Sequence, residues 1–418
     1  MRRWRNGSMR RVVITGMGAV TPVGNNVNEM WEGVKAGKCG IGLITSYDTT
    51  GRKVKVAGEV KDLNVEDFID KREIRKMSRF SIFATIAADE AVADAGISFE
   101  NDAERCGVIV SSGIGGLDTI EKEHAKGMEK GHDRVSPYFI PSAISNMAAG
   151  RIAIKHGIKG MCSCVVTACA GGTNAVGDSF RYVRDGYADV MVCGGAEACV
   201  TEFGIGGFTS LKALSQSEDP NRASIPFDKE RNGFVMGEGA GILILEELEH
   251  ALARNAHIYG EVVGYGATCD AHHITAPLAD GSGAARCMEM AVKDAGINME
   301  DIDYINAHGT STPLNDSGET KAVKLAFGDH AKKLMMSSTK SMTGHLLGAS
   351  GAVEAVICAK TVSDDFVPAT INYSVPDEDC DLDIVPNEGR KCTVNYAMSN
   401  SLGFGGHNAS VVFKKWSE

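Results

Sequence analysis

The stretch MCSCVVTA at 161–168, followed by CAGGTNA at 169–175, decides the fold of this chain. Its first part is small, apolar and β-branched, which is typical of a buried strand. Apolar residues then recur at helical spacing from Val176, and Gly186 marks the end of a helix. The sequence therefore predicts a strand–turn–helix unit with Cys169 at the turn.

This placement gives Cys169 a possible chemistry. A side chain at the start of a helix meets unpaired N–H groups and the positive end of the helix dipole. Both favour a thiolate over a thiol, and the thiolate is the nucleophile. We therefore expect Cys169 to be an ionised nucleophile. A small buried core cysteine is the alternative that this segment leaves open.

Strands alternate with helices along the whole chain. Strands are predicted at 11–15, 106–111, 188–195, 303–307, 334–338, 393–399 and 408–414, and helices at 27–36, 77–95, 317–327 and 347–362. This alternation is typical of an α/β fold with mostly buried strands. The two halves, 9–260 and 261–418, each contain strand–loop–helix units. We therefore expect a duplicated core, although no sequence repeat is visible.

Composition argues against several classes of protein. The 418 residues carry a formal net charge of −11, which is unsuited to nucleic-acid binding. No apolar stretch approaches the ~20 residues that span a bilayer, and no secretory signal is visible. The twelve cysteines lack the spacing of zinc ligands, so we expect no metal site of that kind and a reducing cytoplasm. Residues 1–8 look like an expression-tag remnant.

Residues capable of acid–base and nucleophilic chemistry follow four of the predicted strands. Loops at one end of a sheet converge on one site. A cysteine, two histidines and a lysine at such a point make a cysteine acyl-transfer site plausible. Each histidine or the lysine taken alone is more typical of an ordinary core or surface residue, and only their joint placement favours catalysis. The four candidates are Cys169, His308, Lys340 and His345.

Seven motifs, in this order, resemble the β-ketoacyl-[acyl-carrier-protein] synthases, in particular the elongating condensing enzymes of type II fatty acid synthesis. The resemblance runs from Met9 to about Lys415. The motifs are VITGMG (13–18), TAC (167–169), GGAE (194–197), PFDKERNGF (226–234), NAHGTSTP (306–313), KSMTGH (340–345) and GFGG (403–406).

The resemblance implies a fold and a reaction. The fold is thiolase-like, with a duplicated five-layer αβαβα core in a homodimer. The reaction is a decarboxylative Claisen condensation. An acyl chain held on Cys169 reacts with malonyl-[acyl-carrier-protein], giving 3-oxoacyl-[acyl-carrier-protein] and CO₂ in fatty acid elongation.

The resemblance also implies catalytic roles. His308 and His345 would donate hydrogen bonds to the thioester oxygen while enolate charge builds. The N–H groups of Cys169 and Phe404 would form the oxyanion hole, and Phe404 would act as a gate. Lys340 would hold charge and geometry around the histidines.

Further implied residues contact the substrate or support the site. A buried Glu354 needs a partner, which would be Lys340 or a bound monovalent cation. No other cofactor is implied, since the substrate travels on the phosphopantetheine of its carrier. The substrate contacts are Thr310 and Thr312 for the phosphopantetheine arm and Ile114 and Phe208 for the acyl pocket, although the last two fit an ordinary core equally well.

The implied partner is acyl carrier protein. Since carrier and enzyme are both acidic, a local basic patch must outweigh the net repulsion. The densest basic run is 71–76 with Arg79 nearby, and a solvated helix face is its alternative interpretation. The predicted docking residues are Arg72, Arg75, Lys76, Arg134 and Lys212.

Other functions share some of these features. A biosynthetic thiolase would bring a second cysteine in the C-terminal glycine loop, and GFGG at 403–406 has none. A cysteine hydrolase would need a different nucleophile elbow. A non-catalytic chain-length partner would lack Cys169. A polyketide-type ketosynthase stays open. Leu402 and His407 depart from the common family pattern, which leaves chain-length preference undecided.

Overall fold

The computed structural model describes residues 9–417, so the predicted tag at 1–8 lies outside the described residues. Ten strands form one mixed sheet in the order β10-β9-β13-β14-β8-β1-β7-β6-β4-β5, and β2–β3 and β11–β12 form two small ribbons. The strands are β1 (Val12–Val20), β2 (Gly42–Leu43), β3 (Val56–Ala57), β4 (Cys106–Ser111), β5 (Cys162–Ser163), β6 (Val190–Glu197), β7 (Gly239–Glu247), β8 (Gly260–Cys269), β9 (Tyr304–Asn306), β10 (Met335–Ser337), β11 (Phe366–Val367), β12 (Arg390–Lys391), β13 (Tyr396–Gly403) and β14 (His407–Lys415).

Helices pack against the strands of the sheet. They are α1 (Val27–Lys35), α2 (Lys71–Ile74), α3 (Arg79–Ala95), α4 (Leu117–Lys130), α5 (Phe139–Ala143), α6 (Met147–His156), α7 (Gly171–Arg184), α8 (Glu202–Ser210), α9 (Leu248–Ala253), α10 (Ser282–Ala295), α11 (Pro313–Phe327), α12 (Lys340–Thr343) and α13 (Ser350–Asp364). Within residues 9–417, no helix is long and apolar enough to cross a membrane.

Five layers can be recognised from what each helix touches. Helices α3 and α6 cover the strands of the first half, and α10 covers β8 and β14 of the second half. Helices α7 and α13 touch strands of both halves and form the central layer. The molecule therefore has the thiolase-like αβαβα fold that the motifs implied.

The two halves of the sheet meet at a short seam. Strand β1 pairs with β8 through only three residue pairs, from Val12↔Val262 to Ile14↔Gly260. On its other side β1 pairs with β7 over nearly its full length. The seam places the first strand of each half side by side at the middle of the sheet.

The central helices touch almost backbone to backbone. A Cβ on Gly172 of α7 would lie 2.6 Å from the backbone nitrogen of Ala352, and one on Gly351 of α13 would lie 2.1 Å from Thr173 Oγ1. Only glycine permits this approach. As a result, the segments that precede α7 and α13 are held against each other, and these segments carry Cys169 and His345.

The sequence located most elements correctly. Strand 106–111 is observed with the predicted bounds, and the strand pair at 393–399 and 408–414 is the antiparallel hairpin β13–β14. The buried strand expected at 161–168 was wrong. Only Cys162–Ser163 form a strand, at the edge of the sheet beside β4, and Cys162 is exposed. The chain then leaves the sheet to reach the turn at Cys169.

Candidate active site

Cys169 lies in a short 3₁₀ turn, Ala168–Ala170, and helix α7 begins only afterwards, at Gly171. Ala168 has φ of +50°, an unfavourable value for a residue with a Cβ. Side chains brace the turn, because Asn174 Nδ2 donates to Thr167 Oγ1 at 2.6 Å. The nucleophile candidate thus lies at a strained, supported turn before a helix, so the turn and the helix of the predicted unit are present and its strand is not.

The expectation that the helix start ionises Cys169 was wrong. Burial raises the pKa of the Cys169 thiol to about 12. The positive charge of Lys340 lowers this pKa, but the negative charge of Glu197 opposes it. The sulfur is therefore a thiol at neutral pH in this state, because desolvation exceeds the effect of the nearby N–H groups.

Phe404 reaches Cys169 from the β13–β14 hairpin. The backbone N–H groups of Phe404 and Cys169 both donate toward the sulfur. The preceding residue, Gly403, packs on the elbow, where a Cβ would lie 3.2 Å from the nitrogen of Cys169. Gly405 and Gly406 follow with φ of +89° and +76°, which only glycine adopts readily. Both backbone N–H groups therefore act on the Cys169 sulfur, and their role as oxyanion donors stays a prediction.

His308 follows β9 and is held from behind. The Glu319 carboxylate accepts the backbone N–H groups of His308 and Gly309, each at 2.8 Å. His308 is almost fully buried, and its Nδ1 has no hydrogen-bond partner among residues 9–417. Burial, and after it the charge of Lys340, lowers the pKa of His308 well below 6.5, so the ring is neutral.

His345 faces His308, with the ring centroids 5.2 Å apart and the rings nearly perpendicular. Its Nδ1 lies 2.9 Å from Ser350 Oγ, and its backbone N–H donates to Val235 O at 2.7 Å. Burial, together with the charge of Lys340, lowers the pKa of His345 well below 6.5. The structure thus brings two neutral imidazoles together from loops far apart in the chain.

Lys340 supplies the positive charge of the site. Its ammonium group donates to Glu354 Oε1, and both side chains are almost completely buried. The Lys340 charge affects the pKa of Cys169 and of both histidines. The predicted partnership of Glu354 with Lys340 is therefore present, and this cation lies within electrostatic range of all the candidate groups.

Some buried oxygens without a hydrogen-bond partner have the chemistry of cation ligands. The buried oxygens of residues 9–417 that lack a hydrogen-bond partner include Asn306 Oδ1, Ser399 Oγ and Glu354 Oε2. Asn306 and Ser399 are register partners on β9 and β13. Such oxygens suit a hard cation. Among the described residues, no group of three His, Cys, Asp or Glu side chains could hold a metal ion.

The predicted acyl-pocket residues lie beside the nucleophile. Ile114, Phe208 and Cys169 all pack on one apolar cluster that includes Phe234. Phe208 also contacts Phe404, with ring centroids 6.3 Å apart. Phe234 in turn contacts the His345 ring at 5.1 Å. An apolar surface therefore links the elbow, the hairpin and a histidine.

The predicted pantetheine contacts lie in the loop after His308. Thr310 Oγ1 and Thr312 Oγ1 are 2.9 Å apart, and both side chains precede helix α11. Thr310 is buried, and Thr312 is partly exposed. Two adjacent hydroxyls suit the amides of a pantetheine arm.

The predicted docking residues are on the surface, and they differ in whether an acidic side chain offsets their charge. Arg72, Arg75, Arg134 and Lys212 are exposed. Lys76 is paired with Glu73 at 2.6 Å. Arg79, which the sequence placed beside this run, donates to Glu238 through two nitrogens and so has its charge offset.

Three supporting residues have no predicted role. Glu319 holds the His308 loop, Ser350 contacts His345, and Glu197 lies near Cys169. Glu197 occurs in a quoted motif, but its function there was not recognised. For Glu319 the only available signal was an acidic residue on the buried face of a helix after a catalytic loop.

Comparisons with known proteins agree with this geometry. Residues 9–251 match the family model described as Beta-ketoacyl synthase, N-terminal domain, and residues 259–374 match the C-terminal domain. The chain is 52% identical over 413 residues to a protein of Synechocystis sp. named 3-oxoacyl-[acyl-carrier-protein] synthase 2, covering 98% of this chain and 99% of that one. It is 54% identical over 408 residues to a Staphylococcus aureus protein of the same name, covering 97% and 99%.

A solved structure gives the same result for the fold. A ketosynthase in complex with its type II polyketide acyl-carrier protein superposes with a TM-score of 0.91 at 37% identity, covering 98% of this chain and all of that one. The fold and the cysteine–histidine site define a condensing enzyme of the thiolase-like class. The chain belongs to the β-ketoacyl synthase family.

Proposed function

We propose that this chain elongates fatty acids by decarboxylative condensation of malonyl-[acyl-carrier-protein] with an acyl chain on Cys169. One observation carries the proposal: Cys169, two neutral histidines and two backbone donors share one buried site. Relatives named 3-oxoacyl-[acyl-carrier-protein] synthase 2 are 52–54% identical, and the polyketide ketosynthase is 37% identical. This ranking favours fatty acid elongation over a polyketide pathway.

The first step is acyl transfer to Cys169. The sulfur attacks the thioester carbonyl of the acyl carrier, and the new C–S bond replaces the bond to the pantetheine sulfur. The thiol proton ends on the departing pantetheine thiol. The N–H groups of Cys169 and Phe404 stabilise the oxyanion between these states. A raised thiol pKa requires that substrate binding and the Lys340 charge assist deprotonation.

The second step forms the carbon–carbon bond. Malonyl carrier loses CO₂, and the electron pair of the broken bond becomes an enolate on the thioester. His308 and His345 donate to that oxygen, for which a neutral imidazole with a proton on Nε2 is suited. A hydroxyl donation from Ser350 to Nδ1 would set this tautomer in His345. The enolate attacks the acyl-cysteine, and the released thiolate takes up a proton.

Acyl carrier protein would dock at the basic residues of α2 and its flanks. Arg72, Arg75 and Lys76 lie together there, with Arg134 and Lys212 as further candidates. A carrier complex of a related ketosynthase supports this kind of partner. Steering by these charges would raise the association rate more than the affinity.

A second copy of the chain would cover the β5 edge. Strand β5 has a neighbour, β4, on one side only. Apolar side chains cluster near this edge, with Val166 55% and Ile154 on α6 80% exposed. Such an edge is normally paired or covered in a folded protein. We therefore propose a homodimer formed across β5.

A monovalent cation would fit the three unpartnered oxygens of Asn306, Ser399 and Glu354. Bound there, it would offset the carboxylate charge that Lys340 shares. Its role in the reaction would be to keep Glu354, and through it Lys340, in place. The twelve cysteines are all free, which suits a reducing cytoplasm as the place of the reaction.

Intact-protein mass spectrometry tests the proposal. Acyl carrier without malonyl carrier should add one acyl mass to the wild type and none to Cys169→Ala. Addition of malonyl carrier should discharge this mass and release a 3-oxoacyl carrier with CO₂. Cys392→Ala, at a half-buried free cysteine elsewhere, is the matched control and should be acylated normally. Cleavage of acetoacetyl-CoA without condensation would indicate a thiolase instead.

A further inference from the structure

Glu197 is a fully buried carboxylate with no catalytic role in the reaction above. It is the last residue of β6 and is 0% exposed. No basic side chain pairs with it within residues 9–417. A buried carboxylate without a counter-ion must be compensated by hydrogen bonds. The groups that donate hydrogen bonds to Glu197 therefore identify the segments that this carboxylate keeps in place.

Four of the five donors come from two loops of the site, and the fifth is the Cys199 thiol, whose Sγ lies 3.6 Å from Oε1. Oε1 accepts from Ser112 Oγ at 2.9 Å and from the backbone N–H of Ile114 at 3.2 Å. Oε2 accepts from the N–H of Gly113 at 2.7 Å and from that of Gly348 at 3.0 Å. The first loop carries the acyl-pocket residue Ile114. The second loop follows His345 directly.

The two loops also touch each other across the carboxylate. A Cβ on Gly348 would lie 2.4 Å from the backbone nitrogen of Gly113 and 2.9 Å from Glu197 Oε2. A Cβ on Gly113 would lie 2.8 Å from the same oxygen. Neither loop can shift by much without moving the other or breaking these bonds.

We propose that Glu197 is a positioning residue that fixes the acyl-pocket loop and the His345 loop as one unit against Cys169. The proposal rests on the function proposed above and extends it. Chain-length discrimination at Ile114 and hydrogen-bond geometry at His345 then depend on one anchor. The negative charge of the same carboxylate adds to burial, the larger cause, in raising the pKa of the Cys169 thiol.

The charged groups near the Cys169 sulfur predict how a substitution of Glu197 changes the pKa of the thiol. Lys340 and Glu197 are the charged groups that affect the pKa of Cys169, in opposite directions. Burial, and after it the charge of Glu197, also raises the pKa of the Cys164 and Cys199 thiols. Removal of this charge should therefore lower the pKa of Cys169.

Two variants separate charge from geometry. Glu197→Gln keeps the shape but removes the charge and turns an amide NH₂ toward backbone donors, whereas Glu197→Asp keeps the charge and shortens the reach. Iodoacetamide alkylation of Cys169 at fixed pH should be about three- to tenfold faster in Glu197→Gln, since a lower thiol pKa raises the thiolate fraction. Glu197→Asp should alkylate at nearly the wild-type rate.

Both variants should change chain-length selection. The ratio of kcat/KM between long and short acyl carriers should change by about threefold or more, because the pocket loop is released. Glu246→Gln is the matched control: Glu246 is equally buried but holds Thr15 and Arg254, away from the site. It should leave alkylation and selection unchanged.

The outcomes are distinguishable. Wild-type alkylation and selection in a folded Glu197→Gln would overturn the inference while leaving the proposed function intact. A wild type that is never acylated on Cys169 would overturn the proposed function itself. Should Glu197→Gln fail to fold, Ser112→Ala removes the hydrogen bond to Glu197 and the one that Ser112 Oγ accepts from the N–H of Gly115. It should shift selection in the same direction as Glu197→Asp, and an unchanged Ser112→Ala would overturn the inference.

Discussion

Two lysine–glutamate pairs in this molecule have the same chemistry and opposite surroundings. Lys340 and Glu354 are 1% and 3% exposed, whereas Lys76 and Glu73 are 33% and 49% exposed. The buried pair has lost its hydration, so each charge depends on the other. The exposed pair keeps its water and is screened by salt. The buried pair therefore influences the pKa values of the active-site groups, whereas the exposed pair leaves Lys76 available to a partner protein.

The largest effect is expected when the buried pair is broken. Lys340→Met should destabilise the fold by about 3–5 kcal/mol, because Glu354 is left charged and unpaired. Urea unfolding measures this change. The double variant Lys340→Met/Glu354→Gln should recover much of the loss. If Lys340→Met were as stable as the wild type, the buried pair would contribute no more to the free energy of unfolding than the exposed pair does.

Removal of an imidazole should be the next largest effect. His345→Ala should slow malonyl decarboxylation by about 10²- to 10³-fold, since one enolate donor is lost. Ser350→Ala should slow it less, because the ring remains but its tautomer is no longer fixed. The exposed His257→Gln serves as control and should retain full activity. Equal activity of His345→Ala and the control would contradict the assigned role.

The pH dependence should report on the Lys340 charge. Burial, then Lys340, lowers the pKa of His345, so the ring stays neutral as pH falls through 6.5. Decarboxylation should therefore persist below pH 6.5 in the wild type. In Lys340→Met the pKa of His345 rises toward 6.5, and activity should be lost at a higher pH. Coincident pH–rate profiles would exclude this coupling.

A smaller effect is expected at the surface. Arg75→Glu/Lys76→Glu should raise KM for carrier-bound substrates by about tenfold at low salt with kcat unchanged, because steering is lost. The difference should shrink as salt increases. Lys391→Glu, an exposed charge reversal on β12 away from this run, is the control. An unchanged KM would remove the docking assignment.

The smallest effect should come from the exposed pair itself. Lys76→Met should leave the urea midpoint where it is, since both partners are solvated. The same measurement on Lys340→Met provides the contrast. A clear midpoint shift in Lys76→Met would mean that solvent exposure does not separate the two pairs.

Much of the site could be predicted because it follows local rules. Loops after strands converge at one end of a sheet, so His308 and His345 could be placed together from motifs alone. The hairpin at Phe404 was also visible as two strands around a glycine loop. The assignment of Glu354 to Lys340 needed only the rule that a buried carboxylate requires a partner.

The remaining features depend on distant contacts. The pKa of Cys169 reflects burial by segments from both halves, which outweighs the local effect of a helix start. The segment 161–168 has strand composition, but it ends at a sheet edge and turns away. Glu197 and Glu319 act through backbone N–H groups of other loops, and no pattern in one sequence marks those donors.

The three-pair seam between β1 and β8 has a consequence for dissection of the molecule. A fragment ending near Ala253 would leave the outer side of β1 unpaired and strip α7 of the strands that cover it from the other half. Exposed strand edges of this kind promote association with other chains. Fragments that are expressed separately should therefore be insoluble, and co-expression of the two should restore their solubility. Limited proteolysis between the halves should leave the two pieces associated.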